Sequence, residues 1–212
     1  MKIFVAGATG RVGQELISVL ESKGHYVYAG ARKTEQIKET ENIQAVFLDL
    51  HETVEDLAEN LKDAEAVIFV AGSRGKDLLQ TDLDGAVKLM KAAESKGVKR
   101  YIQLSSMFAL APERWKEPGI ASILDYTIAK YYSDSWLLNN TALDYTILQP
   151  GTLREIPGTG KIAVDVSEAG ENSIEDVAEV LAEIVTEVQT IGKVILMHSG
   201  EQPIKEALQT IK

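Results

Sequence analysis

The stretch KIFVAGATGRVGQELISVL, residues 2–20, places glycines at positions 7, 10 and 13, between an apolar run and an amphipathic run. Glycine loses more backbone entropy on ordering than other residues, so its use at three regularly spaced positions needs a physical reason. The apolar residues 3–6 are typical of a buried strand, and residues 12–22 have the periodicity of a helix. The glycines therefore lie in the turn between a strand and a helix.

This turn has the features of an anion-binding loop. Gly7 can make the tight turn, Gly10 can let the backbone approach a diphosphate, and Gly13 can let the helix pack closely on the strand. The spacing is G-x-x-G-x-x-G, whereas dinucleotide-binding loops more often have G-x-G-x-x-G. A turn that only reverses the chain is the alternative, but strand, loop and helix occur in the order that phosphate binding requires. We expect cofactor contacts from the three glycines and from Thr9, Arg11 and Val12.

The rest of the chain continues this alternation of strand and helix. Such alternation implies right-handed crossovers and a mainly parallel sheet that is covered on both faces. The sequence therefore predicts an α/β fold, a single doubly wound Rossmann domain over residues 1–212 with a short C-terminal extension. The predicted strands are 3–6, 26–29, 45–48, 66–70, 101–104, 145–148 and 193–197, and the clearest helices are 12–22, 53–61, 82–95, 123–139 and 174–188.

Two less regular stretches, residues 107–122 and 152–172, follow strands at the predicted carboxyl edge of the sheet. Loops at this edge normally form the ligand crevice, so we expect both to be substrate loops. Little chain follows Gly151 from which a separate substrate domain could be built. A small carbonyl, quinone or flavin-like substrate therefore fits better than a nucleotide sugar.

Composition narrows the classes of partner. The net charge of −10 disfavours nucleic acid, because phosphate binding needs a basic surface. The chain has no cysteine, which excludes disulfides and thiolate metal sites, and its three histidines lack metal-ligand spacing. No apolar run approaches the ~20 residues of a membrane span, and no secretory signal precedes the first strand. We expect a cytoplasmic protein that binds neither a membrane nor a metal.

The end of the second predicted strand reads AGARK, residues 29–33. A site that prefers NAD places an acid here to bind the ribose 2′-hydroxyl. Arg32 and Lys33 stand instead where a 2′-phosphate would lie, and Arg11 could join them. A solvated loop arginine is the alternative. We predict a preference for NADP(H), with NAD(H) possible as cofactor.

Motifs along nearly the whole chain resemble the short-chain dehydrogenase/reductase superfamily. More narrowly, the chain resembles the atypical branch of small NAD(P)-binding proteins related to biliverdin reductase B, to NmrA-like regulators and to NAD-dependent epimerase/dehydratases. Single motifs are loose, but their order and spacing are specific. They are GATGRVG (7–13), ARK (31–33), FLDL (47–50), VAGS (70–73), QLSS (103–106), YTIAK (126–130) and LDYTILQPG (143–151).

The resemblance implies further cofactor contacts. Asp49 and Leu50 would contact the adenine, and Pro150 with Gly151 would border the nicotinamide. The path between these two ends would be lined by Ala71, Gly72 and Ser73.

The chain departs from the family at two positions. Gln149 stands where the family more often has arginine, and Asp82, in TDLDG, replaces the helix-borne asparagine of the active site. In the family, that asparagine supports a proton relay through water and lysine. The second departure leaves this chain without the side chain that supports this relay in the family.

Tyr126 and Lys130 are four residues apart and so share one face of a helix. Tyrosine is a poor acid–base group near neutral pH unless a cation stabilises its phenolate, and Lys130 can supply that cation. Lys130 would also hold the nicotinamide ribose. Ser106 could hydrogen-bond a substrate carbonyl while Tyr126 passes a proton, with Ser105 the less favoured serine. The alternative is chance, because Y-x-x-x-K arises readily on helices and the atypical branch includes incomplete catalytic sets.

The aromatic residues near this set have separate predicted roles. Trp115, in the 107–122 stretch, is a candidate for the substrate pocket. Tyr131, Tyr132 and Trp136 are more typical of core or of a surface that pairs helices. The helices that begin near Asp82 and Ile123 are candidates for a homodimer interface.

The leading hypothesis is an NADP(H)-dependent oxidoreductase that transfers hydride to a small carbonyl, quinone or flavin-like molecule. One alternative is a non-enzymatic NADP(H)-binding redox sensor of the NmrA-like type, which would report to a protein partner. Another is an NAD(P)-dependent epimerase/dehydratase.

Overall fold

The computed structural model describes residues 1–211 and contains a central nine-stranded sheet. Its strands are β1 (Lys2–Ala6), β2 (Tyr26–Ala31), β3 (Ile43–Phe47), β4 (Ala66–Phe69), β5 (Arg100–Leu104), β6 (Asp144–Pro150), β8 (Lys161–Val164), β10 (Lys193–Ser199) and β11 (Gln202–Pro203). A separate parallel pair is formed by β7 (Thr152–Arg154) and β9 (Glu171–Ser173). The helices are α1 (Arg11–Ser22), α2 (Val54–Asn60), α3 (Gly85–Ser95), α4 (Pro118–Ala121), α5 (Leu124–Asn140), α6 (Ile174–Ile184) and α7 (Ile204–Gln209).

The strand order is β3-β2-β1-β4-β5-β6-β10-β8-β11, which confirms the predicted doubly wound sheet. Each neighbouring pair from β3 to β10 is parallel, whereas β8 runs antiparallel to both β10 and β11. Ala6 at the end of β1 pairs with Gly30 of β2 on one side and with Phe69 of β4 on the other. The chain reverses its winding direction between β1 and β4, and ligands of open α/β sheets bind at that point.

Alternating side chains of β1 enter two separate cores. Ile3 and Val5 pack with Leu16 of α1 on one face, where α6 also lies. Phe4 and Ala6 enter the opposite core, which includes residues of α2, α3 and α5. Both faces of the sheet are therefore covered, which explains why its strands read as continuous apolar runs.

The structure corrects the predicted elements in several places. The helix predicted over 174–188 ends at Ile184. The stretch 152–172 is less irregular than expected, because it contains β7, β8 and β9. The helix predicted over 82–95 is an α-helix only from Gly85, because residues 82–84 are the end of a π-helix, Leu78–Asp84, which leads directly into α3. Among residues 1–211, no helix combines the length and the apolar character needed to cross a membrane.

Candidate functional site

The glycine loop connects β1 to α1 by a turn that side chains would obstruct. Gly7 has φ +97°, and a Cβ added to it would lie 2.6 Å from backbone atoms of Ala71. The N–H groups of Gly7 and Ala8 both donate to the carbonyl oxygen of Gly30, so the loop is tied to the end of β2. A Cβ on Gly13 would lie 2.2 Å from the Gly7 carbonyl oxygen. Gly13 thus allows the close packing of helix and strand that the sequence predicted.

The start of α1 lies at the glycine loop and has no side-chain cap among the described residues. Gly10 caps this helix without any side-chain hydrogen bond. The first N–H groups of a helix have no acceptor within the helix, and the helix dipole makes this end positive. No acid occurs in residues 11–14 to neutralise it. These backbone amides fit the diphosphate of a dinucleotide.

A cleft of about 1380 Å³ lies at the carboxyl ends of the parallel strands and joins most of the predicted site residues. Gly13 and Ser73 are outside its lining, because Gly13 packs behind the loop and the Ser73 N–H donates to Asp82 Oδ2 at 3.0 Å. The predicted residues that line the cleft are Gly7, Thr9, Gly10, Arg11, Val12, Arg32, Lys33, Asp49, Leu50, Ala71, Gly72, Ser106, Tyr126, Lys130 and Pro150.

Within residues 1–211, four exposed cations line this cleft, namely the predicted Arg11, Arg32 and Lys33 together with Arg74. Arg11 reaches across to Glu155, with 3.3 Å between its Nη1 and the Glu155 Oε1. The charge of Arg32 also reaches Asp77, whose pKa is lowered mainly by hydrogen bonds from Thr81 and His51 and further by Arg32. Asp77 was not predicted from the sequence, because the AGARK motif does not show which acid elsewhere in the chain interacts with Arg32.

Ser106, Tyr126 and Lys130 meet at the same cleft. Ser106 and Tyr126 are partly exposed, whereas only 1% of Lys130 is accessible to solvent. Lys130 Nζ donates a hydrogen bond to the Leu104 carbonyl oxygen at 3.0 Å and lies 5.7 Å from the centre of the Tyr126 ring. Tyr126 and Lys130 therefore lie close together, as their spacing predicts, and the Lys130 ammonium is hydrogen-bonded to the backbone.

The electrostatics around Tyr126 differ from the prediction. Burial raises the pKa of Tyr126, and the nearby carboxylates of Asp82 and Asp134 raise it further. Burial lowers the pKa of Lys130, although the same two carboxylates oppose that change. Burial and these two acids therefore act on the Tyr126 pKa in the direction opposite to the effect expected from Lys130.

A buried polar network behind the site centres on Asp134 of α5. Its Oδ2 accepts hydrogen bonds from Ser105 Oγ at 2.5 Å and from Gln149 Nε2 at 3.1 Å. Its Oδ1 accepts from Gln103 Nε2 at 2.9 Å. Gln149, one of the two departures from the family, thus links β6 to α5. Burial raises the pKa of Asp134, while these donors and Lys130 oppose the rise.

Trp115 does not line the cleft, which corrects its predicted role in the pocket. Its Nε1 donates to the carbonyl oxygens of Phe108 and Ala109, and its ring meets Tyr131 edge-on at 5.4 Å between centres. Trp115 therefore stabilises the 107–122 loop from behind. Met107 and Phe108 line the cleft instead. Their position directly after QLSS was the available signal for this role.

Comparison with known proteins agrees with the resemblance carried by the motifs. The family model for NAD(P)H-binding proteins matches residues 7–188. The chain is 37% identical, over all of both chains, to the uncharacterized sugar epimerase YhfK of Bacillus subtilis. The crystal structure of the oxidoreductase ylbE from Lactococcus lactis is 48% identical, with a TM-score of 0.97 over 100% of this chain and 96% of that one. A proposed NAD-dependent epimerase/dehydratase from Bacillus halodurans is 33% identical, with a TM-score of 0.90 over 99% of each chain.

Proposed function

The chain belongs to the NAD(P)H-binding Rossmann family of the atypical short-chain dehydrogenase/reductase type, and from this premise we propose that it is an NADP(H)-dependent oxidoreductase of a small carbonyl, quinone or flavin-like molecule. The observation that carries the proposal is one continuous cleft. It joins the open amides at the start of α1 to the hydroxyls of Ser106 and Tyr126.

The residues at the glycine loop fit a dinucleotide phosphate. A Cβ at Gly7 would collide with Ala71, so glycine keeps the loop close to β4, and the amides of α1 remain available to an anion. When bound, the nicotinamide cofactor supplies a hydride to a substrate carbon. Arg32 and Lys33 support the preference for NADP(H), because two cations directly after β2 suit a dianionic 2′-phosphate.

The other end of the cleft suits a small, partly apolar substrate. Met107 and Phe108 provide apolar surface, while the Ser106 and Tyr126 hydroxyls can donate hydrogen bonds to one substrate oxygen. Ser106 would orient that oxygen and Tyr126 would donate a proton to it. Leu153 and Gly170, from the two ends of the 152–172 stretch, complete the lining.

A second candidate is a redox sensor that binds NADP(H) without turnover. One observation favours it, namely that Lys130 is 1% exposed and its Nζ donates its hydrogen bond to the Leu104 carbonyl oxygen. A sensor must bind the oxidised and reduced cofactor with different affinities, because only differential binding shifts an equilibrium.

The deciding experiment measures NADPH oxidation with a panel of carbonyls, quinones, flavins and nucleotide sugars. Tyr126→Phe should lower the rate by about 10²-fold or more if Tyr126 is the proton donor. Tyr132→Phe is the matched control, since Tyr132 lies on the same helix and is 57% exposed. Equal rates for the parent and Tyr126→Phe would remove Tyr126 from the mechanism. Tight binding of NADPH and NADP with clearly different affinities, without turnover of any compound, would favour the sensor.

A further inference from the structure

Asp82 is a fully buried acid that the proposed function does not use. It lies in the π-helix Leu78–Asp84, which packs against α5. Its side chain has 0% exposure, and its Oδ2 accepts a hydrogen bond from the Ser73 N–H at 3.0 Å. Its Oδ1 is buried with no hydrogen-bond partner among residues 1–211. A buried carboxylate oxygen in this condition needs a compensating charge.

Lys130 is the matching cation. Its Nζ donates to the neutral Leu104 carbonyl oxygen, and its other close neighbours include the rings of Phe69 and Tyr126, at 5.3 and 5.7 Å from Nζ. An ammonium with 1% exposure also needs a compensating charge, which a carbonyl dipole supplies only in part.

Two buried carboxylates act electrostatically on this ammonium, one from its own helix α5 and one from the π-helix packed against α5. Asp134 lies one turn further along α5 and already accepts hydrogen bonds from Ser105, Gln103 and Gln149. Asp82 approaches from the π-helix and keeps one oxygen free of hydrogen bonds among the described residues. Both carboxylates act electrostatically on Lys130 and on Tyr126. Asp82 is therefore the acid whose charge is least engaged elsewhere.

We propose that Asp82 is a positioning residue that compensates the charge of the buried Lys130, so that Tyr126 keeps its hydroxyl proton and serves as the proton donor. The catalytic role of Asp82 rests on the proposed function. Its electrostatic effect on Tyr126 does not, because that effect can be measured on the protein without cofactor or substrate. In reduction of a carbonyl, the Tyr126 O–H bond breaks and its proton goes to the substrate oxygen, while the carbon accepts the hydride. The phenolate keeps the electron pair and then recovers a proton from water, which the surrounding carboxylates favour.

The test is an alkaline titration of tyrosinate absorbance on the protein without cofactor. Subtracting the Tyr126→Phe titration from that of the parent isolates Tyr126 from the other tyrosines. Tyr126 should titrate above the ordinary value of about 10. Asp82→Asn keeps the size of the side chain and an acceptor for the Ser73 N–H, and it should lower the titration midpoint of Tyr126 by about one pH unit or more.

Asp84→Asn is the matched control. It removes the same charge from the same segment, but Asp84 is exposed and pairs with Lys88 at 3.2 Å. It should leave the titration of Tyr126 unchanged. An unshifted midpoint in Asp82→Asn would overturn the proposal. If Asp82→Asn does not fold, the parent alone decides, because titration of Tyr126 at or below about 10 would overturn it equally.

A second readout uses turnover. With any substrate that the panel identifies, the alkaline loss of reduction should begin at lower pH in Asp82→Asn than in the parent. An unchanged pH profile would contradict the catalytic part of the inference. The titration needs no substrate, so a protein that oxidises no NADPH would refute the proposed function while leaving the electrostatic result to be judged separately.

Discussion

The Ser105 hydroxyl donates a hydrogen bond to the Asp134 carboxylate at 2.5 Å, whereas the next residue, Ser106, is partly exposed in the cleft. Adjacent residues of an extended strand point to opposite sides, which explains how two neighbouring serines differ. One serine joins α5 to the end of β5, and the other is available to a substrate.

This difference predicts separate effects for two alanine variants. Ser106→Ala should lower NADPH-dependent turnover by about 10- to 100-fold, the value of a hydrogen bond of ~1.5–3 kcal/mol to a developing charge. Ser105→Ala should instead lower the free energy of unfolding by ~1–3 kcal/mol, because Asp134 loses a donor while buried. Steady-state kinetics and urea unfolding on both variants separate the two roles. If Ser105→Ala lowered turnover and Ser106→Ala lowered the free energy of unfolding, the roles assigned to the two serines would be wrong.

Cofactor preference depends on the basic residues after β2. Arg32→Glu should weaken NADPH binding by about 10- to 100-fold and NADH binding much less, because a charged hydrogen bond to phosphate is worth ~1.5–3 kcal/mol. Lys38→Glu is the control, since Lys38 is exposed on the same connection but outside the cleft lining. Calorimetry with both dinucleotides measures the effect. Unchanged discrimination in Arg32→Glu would refute a 2′-phosphate site there.

Gly13→Ala should destabilise the protein although alanine favours helices. Helix propensity alone would stabilise it by ~1 kcal/mol, but the new Cβ would lie 2.2 Å from the Gly7 carbonyl oxygen, and overpacking typically costs ~1–3 kcal/mol. Gly119→Ala, in α4 with open space around the added Cβ, should be neutral or slightly stabilising. Equilibrium unfolding of both variants gives the comparison, and a Gly13→Ala protein as stable as the parent would show that the loop relaxes freely.

Stability at alkaline pH should depend on Tyr28. Burial and the hydrogen bond to Asp63 raise the pKa of Tyr28 to about 12. The folded state therefore retains this proton while the unfolded state, with a pKa near 10, loses it. Tyr28 thereby contributes up to ~2 kcal/mol to the free energy of unfolding. This contribution is complete below about pH 10 and is lost as the pH rises to about 12. Tyr28→Phe should show a shallower loss of unfolding free energy across this window, and parallel curves would contradict the assignment.

The doubly wound, mainly parallel sheet could be predicted because strands and helices alternate visibly along the chain. The glycines at 7, 10 and 13 mark the first turn, and the apolar runs are long enough to identify the parallel strands. Strands β7 and β9 were missed because each has three residues, and their pairing depends on partners far along the chain. Such short segments carry too few residues to show a period.

At the candidate site, sequence motifs predicted which residues meet but not how their charges interact. Tyr126 and Lys130 share a helix face as their spacing requires. Asp134 went unnoticed because its role depends on Gln103, Ser105 and Gln149, which lie on two other elements. Trp115 was misplaced for a related reason, since loop conformation decided that its ring would face Tyr131.

The antiparallel strands β8 and β11 also affect how copies of the chain can associate. β11 has only two residues, and the second is Pro203, which has no N–H to donate. The edge strand β11 therefore offers almost no free backbone N–H groups with which a strand of a neighbouring molecule could pair. At this edge, the short strand and its proline disfavour sheet-to-sheet polymerisation without the help of surface charge.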